Sequence, residues 1–87
     1  MTVRVTRKVR RVLAAIHALD QAWWLSICRE SALGSGTVYP ILERLRKAEW
    51  IGYLVEANPA PGRLPRTFYH LTYRGQLGTG LESTRQP

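Results

Sequence analysis

Two clusters in this chain carry residue types that could hold a polyanion. The first is Ser35-Gly36-Thr37-Val38-Tyr39-Pro40, followed by Arg44 and Lys47. Hydroxyls and free backbone N–H groups meet phosphates, small residues permit close approach, and longer side chains reach base edges. A helix that inserts its N-terminal end into a DNA major groove needs this arrangement. The second cluster is Arg63 and Arg66, on a stretch from Ala57 to Arg66 that holds three prolines and a glycine. That composition excludes regular structure. A stiff basic loop is poor at building a core and good at reaching a groove or a backbone. Each cluster also has an ordinary reading: the solvated face of a surface helix, and a plain exposed loop.

Catalytic chemistry finds no such grouping. There is no nucleophile–base pair, and Gly34-Ser35-Gly36-Thr37 lacks the lysine of a phosphate loop. The single cysteine, Cys28, excludes an internal disulfide and a CxxC metal site. His17 and His70 lie far apart, with no ligand spacing around them. No catalytic residue, metal site or cofactor is expected, and these three side chains read as packing or surface residues.

The whole chain has 87 residues, enough for one small domain. Apolar residues make up 45% of it, and 13 Lys and Arg stand against 6 Asp and Glu, a net charge of +7. Such a balance favours nucleic acid or an anionic membrane. No apolar run approaches the roughly 18 residues of a membrane span. The basic N-terminus lacks the apolar core and cleavage site of a targeting signal. A cytoplasmic protein that does not act on a membrane is expected.

The clusters need elements to hold them. Residues 1–5 form an arm or a brief edge strand. Thr6 is a plausible N-cap, and Val9, Val12, Leu13, Ile16 and Leu19 mark one face of a first helix. Arg7, Lys8, Arg10 and Arg11 cover the rest, in first turns where the macrodipole disfavours cations. Arg7, Lys8 and Arg11 are therefore candidates for further contacts with DNA backbone, or with an acidic partner. Ala22 to Ser31 is a second short helix. Trp23 and Trp24 cannot both face one way on it, so one is expected in the core and the other at an interface. Leu33-Gly34 turns into a third helix, about 35–48, with Val38, Ile41, Leu42 and Leu45 on its buried face. Pro40 leaves its start open by about three residues.

Two strands follow, Trp50–Glu56 and Thr67–Thr72, joined by the basic loop as a hairpin. The order is helix, helix, turn, helix, basic-tipped hairpin. That is the layout of a winged helix-turn-helix: an α+β fold, mainly α, with three helices and a two-stranded wing. The domain is expected over 1–76, with a short flexible tail over 77–87 in which Leu77 and Leu81 could support a turn of helix.

Two stretches also resemble a known family, the PadR-like transcriptional regulators. One is Ser35-Gly36-Thr37-Val38-Tyr39-Pro40-Ile41-Leu42-Glu43-Arg44-Leu45, which follows the family's "G-T-x-Y-P-x-L-x-R-L" helix start. The other is Pro61-Gly62-Arg63-Leu64-Pro65-Arg66-Thr67-Phe68-Tyr69-His70-Leu71-Thr72 with Arg74-Gly75, which follows its "P-R-x-Y-x-L-T" wing return. The resemblance covers roughly residues 6–76. It implies a DNA-binding regulator, usually dimeric, often a repressor released by a small-molecule effector or another signal. By motif position it places Ser35, Thr37, Tyr39 and Pro40 at the DNA-facing helix start and Arg63 and Arg66 on the wing. Read this way, the chain is a short form that lacks most of the family's C-terminal helical region. It also differs at Trp23-Trp24, where relatives often have a small, glycine-containing helix start. Glu49 stands where a glycine often ends the recognition helix.

The expected function is sequence-specific binding to double-stranded DNA, with transcriptional control as its consequence. Thr37 can touch a thymine methyl or a phosphate, and Tyr39 can hydrogen-bond backbone or stack. Arg44 and Lys47 are placed for phosphates; Glu43 could accept from cytosine, but is better suited to discouraging wrong sequences or to pairing with Lys47 at i+4. One module would bury about 600–1,000 Å², which is small for tight binding. A homodimer on a pseudo-palindrome is expected, with half-sites about 34–36 Å apart or a multiple. The first helix with Trp23 and Trp24 is the candidate interface. The rival from another class is a winged-helix adaptor or antagonist whose tryptophans and basic first helix bind an acidic protein.

Overall fold

Thr6 opens the first helix. In the computed structural model, which describes residues 3–80, its Oγ1 accepts a hydrogen bond from the Val9 N–H at 3.2 Å. Helix α1 then runs Arg7–Ala18 and buries Val9, Val12, Leu13, Ala15 and Ile16. That is the apolar stripe of the sequence, and it faces the core. Ahead of it the described residues 3–5 form no strand; Val3 is buried and Val5 packs against the core.

Helix α2 spans Trp24–Ser31, two residues shorter than the expected Ala22 start. The reason lies outside the helix. The Ala22 carbonyl accepts from the Tyr69 N–H at 2.8 Å, which draws this residue into the sheet. Trp23 becomes the N-cap, and Ser26 Oγ accepts its N–H at 3.0 Å. The helix ends at Ala32, in the left-handed region with φ 60°. Gly34 caps helix α3, Ser35–Lys47, which buries Val38, Ile41, Leu42 and Leu45. Pro40 lies inside this helix. With no N–H it leaves the Gly36 carbonyl without its helical donor.

Helix α3 closes with paired bonds: Trp50 N–H to the Leu45 carbonyl at 2.9 Å and Glu49 N–H to the Arg46 carbonyl at 3.0 Å. This is a Schellman motif, whose pivot residue takes a left-handed conformation. Here the pivot is Glu49, at φ 63°.

Strands β1, Ile51–Val55, and β2, Thr67–Leu71, pair antiparallel with Ile51 opposite Leu71 and Val55 opposite Thr67. Bridged also to Ala22, β2 is the inner strand and β1 the outer edge. Ile51 is buried, whereas Tyr53, Leu54 and Val55 are exposed. The hairpin is thus rooted in the core at one end and projects from it at the other.

A fourth helix, α4, spans Tyr73–Thr79, with Thr72 Oγ1 accepting from the Gly75 N–H at 3.0 Å. It carries the folded region three residues into the segment expected as a tail; residues 81–87, with Leu81, lie outside the described residues. Gly75 sits so close to the Trp50 backbone that a Cβ there would overlap the Trp50 carbonyl oxygen, and Gly78 lies likewise on the Trp50 ring. One tryptophan of the pair Trp23 and Trp24 was expected in the core, and neither lies there. Trp50 takes that place, at 8% exposure, while Trp23 is half-buried and Trp24 is 36% exposed. The N-cap position turns both indoles outward from α2, toward the hairpin and α3.

Candidate nucleic-acid interface

Helix α3 has one buried stripe, so its remaining surface divides into three. Opposite the core run Gly36, Pro40, Glu43 and Lys47, all exposed at helical spacing. The end nearest the helix start carries no bulky side chain, so a groove floor could come close to the backbone there. Ser35 is exposed in the first turn, where the Thr37 N–H donates to the Gly34 carbonyl at 3.0 Å and the earlier N–H groups precede the first i−4 bond.

The flank towards α1 holds Thr37 and Arg44. With Thr6 and Lys8 they border a recess of about 280 Å³ that Gly36 and Pro40 also line. The hydroxyl of Thr37 and the cations Lys8 and Arg44 thus come together from two helices. Arg7 is exposed nearby in sequence. Arg11, expected with them, is exposed, and its guanidinium donates to the Ser31 carbonyl at 2.5 Å, at the end of α2. One turn of α1 separates it from Lys8, and that turn aims it at the C-terminus of α2, where orphan carbonyls attract a cation.

The flank towards the hairpin is aromatic. The ring of Tyr39 stacks on Trp24, with centroids 5.8 Å apart and planes 27° apart. Trp24 meets Trp23 edge to face at 6.3 Å. The Arg66 guanidinium lies over the Trp23 ring, 3.9 Å from its centroid, as a cation–π contact. Helix α3, the start of α2 and the wing loop are therefore joined by one chain of four side chains. Both tryptophans, expected at a subunit interface, have these partners within the chain. Between them and the loop lies a cleft of about 470 Å³, bordered by Arg63 and Arg66.

Glu43 pairs with Arg46 at 2.6 Å, not with Lys47 as its i+4 spacing suggested. Arg46 lies one residue closer, on the side facing Tyr53 and Tyr69, and its fork reaches back to the carboxylate. The hydrogen bond from Arg46 holds the Glu43 carboxyl below its ordinary value, and the nearby Lys47 charge adds to this. Burial pushes the Tyr69 hydroxyl up, and the negative charge of Glu43 adds to the effect. Lys47 is left exposed on the outer ridge.

The wing loop is built on Glu56. Its carboxylate accepts from Arg63 through both oxygens, at 2.9 and 3.0 Å, and from the Arg66 N–H at 3.2 Å. The Glu56 N–H donates to the Arg66 carbonyl at 2.8 Å, adding a rung beyond β1 and β2. The two wing arginines thus differ. Arg63 is neutralised by a carboxylate, whereas among the described residues no carboxylate pairs with Arg66.

Sequence reasoning did not single out Arg46, Glu56 or Thr6 as parts of this surface. Glu56 and Arg63 sit on opposite sides of the loop, a separation that carries no periodic signal. No group of three or more metal-binding side chains occurs among the described residues. No helix among them is long and apolar enough to cross a membrane.

The pattern of the "Transcriptional regulator PadR-like family" matches residues 26–79. No curated protein matches the chain in sequence. Among solved structures, a PadR-like transcription factor from Bacteroides fragilis is 27% identical, with a TM-score of 0.68 over 85% of this chain and 77% of that one. A PadR family regulator from Clostridium difficile is 19% identical, with a TM-score of 0.68 over 84% of this chain and 80% of that one. A mutant of Staphylococcus aureus MepR bound to an oligodeoxyribonucleotide is 20% identical, with a TM-score of 0.73 over 88% of this chain and 54% of that one. The chain spans about half the length of the MepR structures it matches.

Proposed function

The chain belongs to the PadR-like family of transcriptional regulators, and from that premise we propose that it binds double-stranded DNA in a sequence-dependent way and acts as a repressor. Helix α3 enters the major groove with its small-residue end leading. Ser35, Gly36, Thr37, Tyr39 and Pro40 approach base edges and the adjoining phosphates. Arg44, Lys47 and Lys8 meet phosphates, and the wing, 57–66, lies on the adjacent groove or backbone through Arg66. This is regulation by occupancy, and no catalytic group takes part in it.

One observation carries the reading. The exposed face of α3 is continuous with the wing cation Arg66 through Tyr39, Trp24 and Trp23. A surface that is cationic at both edges and narrow at the helix start suits the ridge of phosphates between two grooves. The net charge of +7 points the same way. The MepR mutant of similar fold was solved bound to an oligodeoxyribonucleotide.

The same reading includes a homodimer, because a single module buries only about 600–1,000 Å² on DNA. Two copies would occupy half-sites about 34–36 Å apart or a multiple. Such a protein works where the DNA is, in the cytoplasm.

Selection of binding sites from a random duplex library at near-physiological salt tests this. Enrichment of a two-fold-symmetric motif is the expected result, and its spacing gives the dimer geometry. Background binding alone, with no enriched motif, would overturn sequence-specific recognition and favour a winged helix that contacts an acidic protein.

A further inference from the structure

The tryptophan pair fills a place that neither the recognition helix nor the wing requires for its own folding. Trp23 caps α2 through its backbone, and its N–H is already satisfied by Ser26. Any residue with an N–H could do that. Trp24 is 36% exposed and contributes little to the core. What the two indoles do share is position. One touches the recognition helix at Tyr39, the other touches the wing at Arg66, and they touch each other.

We infer that Trp23 and Trp24 are positioning residues that make helix α3 and the wing bind DNA as one unit. The inference rests on the DNA-binding reading above and deepens it. Tyr39 is half exposed, at 49%, on a helix flank where a free phenol would sample several rotamers. Stacking on Trp24 selects one of them before DNA arrives. Among the described residues Arg66 has no carboxylate partner, and a free guanidinium on a loop would likewise be spread over many conformers. Lying on Trp23 holds it without neutralising it, because a cation–π contact leaves the charge in place. Arg63, neutralised by Glu56, shows the other outcome on the same loop. The bridge from Ala22 to Tyr69 supports the arrangement from below, since it ties the residue before Trp23 to the wing's inner strand. Ordering both contact groups beforehand lowers the entropy lost on binding.

The arrangement predicts coupling, which direct contact by independent residues would not produce. Trp23 and Arg66 should act as one group, and so should Trp24 and Tyr39. The test uses the full chain, the duplex enriched by site selection and a shuffled duplex of the same composition, each titrated with salt. Trp23→Ala and Arg66→Ala should each weaken binding to both duplexes, about two- to tenfold. The double variant should lose no more than the worse single one. Trp24→Ala should lower the preference for the enriched duplex over the shuffled one by about two- to tenfold, as Tyr39→Ala does, and Trp24→Phe should restore it.

Losses that multiply in the Trp23/Arg66 double variant would overturn the inference, as would a Trp24→Ala protein that keeps its full preference. Both results would leave DNA binding itself intact. Absence of salt-sensitive duplex binding by the unaltered chain would instead remove the DNA reading, and the positioning role with it.

Discussion

Both oxygens of Glu56 are held by the guanidinium of Arg63, at 2.9 and 3.0 Å, across the base of the wing loop. The same carboxylate accepts the Arg66 N–H. One acidic side chain therefore shapes the loop from inside and sets which of its two cations is available to a polyanion.

The two arginines should separate in salt titrations. Arg66→Ala should flatten the dependence of log affinity on log salt by about one unit, the effect of one lost phosphate contact. Arg63→Ala should change that slope by much less, because its charge is already offset by Glu56. Equal changes in slope would mean that DNA pulls Arg63 away from Glu56.

The Glu56 pair should also appear in acid. The hydrogen bond from Arg63 holds the Glu56 carboxyl below its ordinary value of 4.5. A group depressed in the folded state stabilises the fold above its ordinary value, and loses that contribution as the pH falls through the lower folded value. Hydrogen exchange of the Arg66 amide should therefore speed up as the pH falls below about 4.5, beyond its intrinsic change. Glu56→Gln should show the faster opening already at neutral pH. An amide whose protection is indifferent to both changes would count against Glu56 as the brace of the loop.

The turn after the recognition helix carries strain that a glycine would release. Glu49 stands at φ 63°, which costs an L-residue roughly 1–2 kcal/mol. Its ion pair with Arg74, at 3.4 Å and largely exposed, returns little of this. Glu49→Gly should raise stability by about 1 kcal/mol, or about 4–8 °C in Tm for a domain of this size. A lowered Tm would show that the Arg74 contact matters more than the backbone.

The basic residues of α1 should divide by role. Arg11→Ala should lower Tm, because its guanidinium closes the C-terminus of α2 at the Ser31 carbonyl. A hydrogen bond from a charged group contributes about 1.5–3 kcal/mol. Lys8→Ala should leave Tm nearly unchanged and flatten the salt slope, as Arg44→Ala should from the facing helix. Reversed behaviour of Arg11 and Lys8 would move the DNA-facing edge of α1 by one turn.

Much of the scaffold was legible in the sequence because it is periodic. Val9, Val12, Leu13 and Ile16 mark α1, and Val38, Ile41, Leu42 and Leu45 mark α3, through the spacing that a buried helical face imposes. The strands were bounded by the proline-rich loop. Helix α4 was only hinted at through Leu77, because what docks it is the absence of side chains at Gly75 and Gly78, and glycine signals a break in a sequence pattern. The start of α2 was misplaced because a contact with Tyr69, remote in sequence, claims the Ala22 carbonyl. The candidate site was legible as a set of residue types and not as a set of pairs. That Glu43 takes Arg46, that Arg66 lies on Trp23 and that Trp24 lies on Tyr39 depends on which flank each element turns to another. Spacing along the chain does not encode that.

The seat of α4 on Trp50 has a mechanical meaning. Where a Cβ would overlap the facing carbonyl oxygen at Gly75, two backbones are in direct register, with no flexible side chain between them to absorb a tilt. Thr72 reinforces the joint by donating its hydroxyl to the Glu49 carbonyl at 2.6 Å. The start of α4 and the exit of α3 therefore meet backbone to backbone. Only two residues, Glu49 and Trp50, separate the C-cap of α3 from the first strand, and both are held by the start of α4.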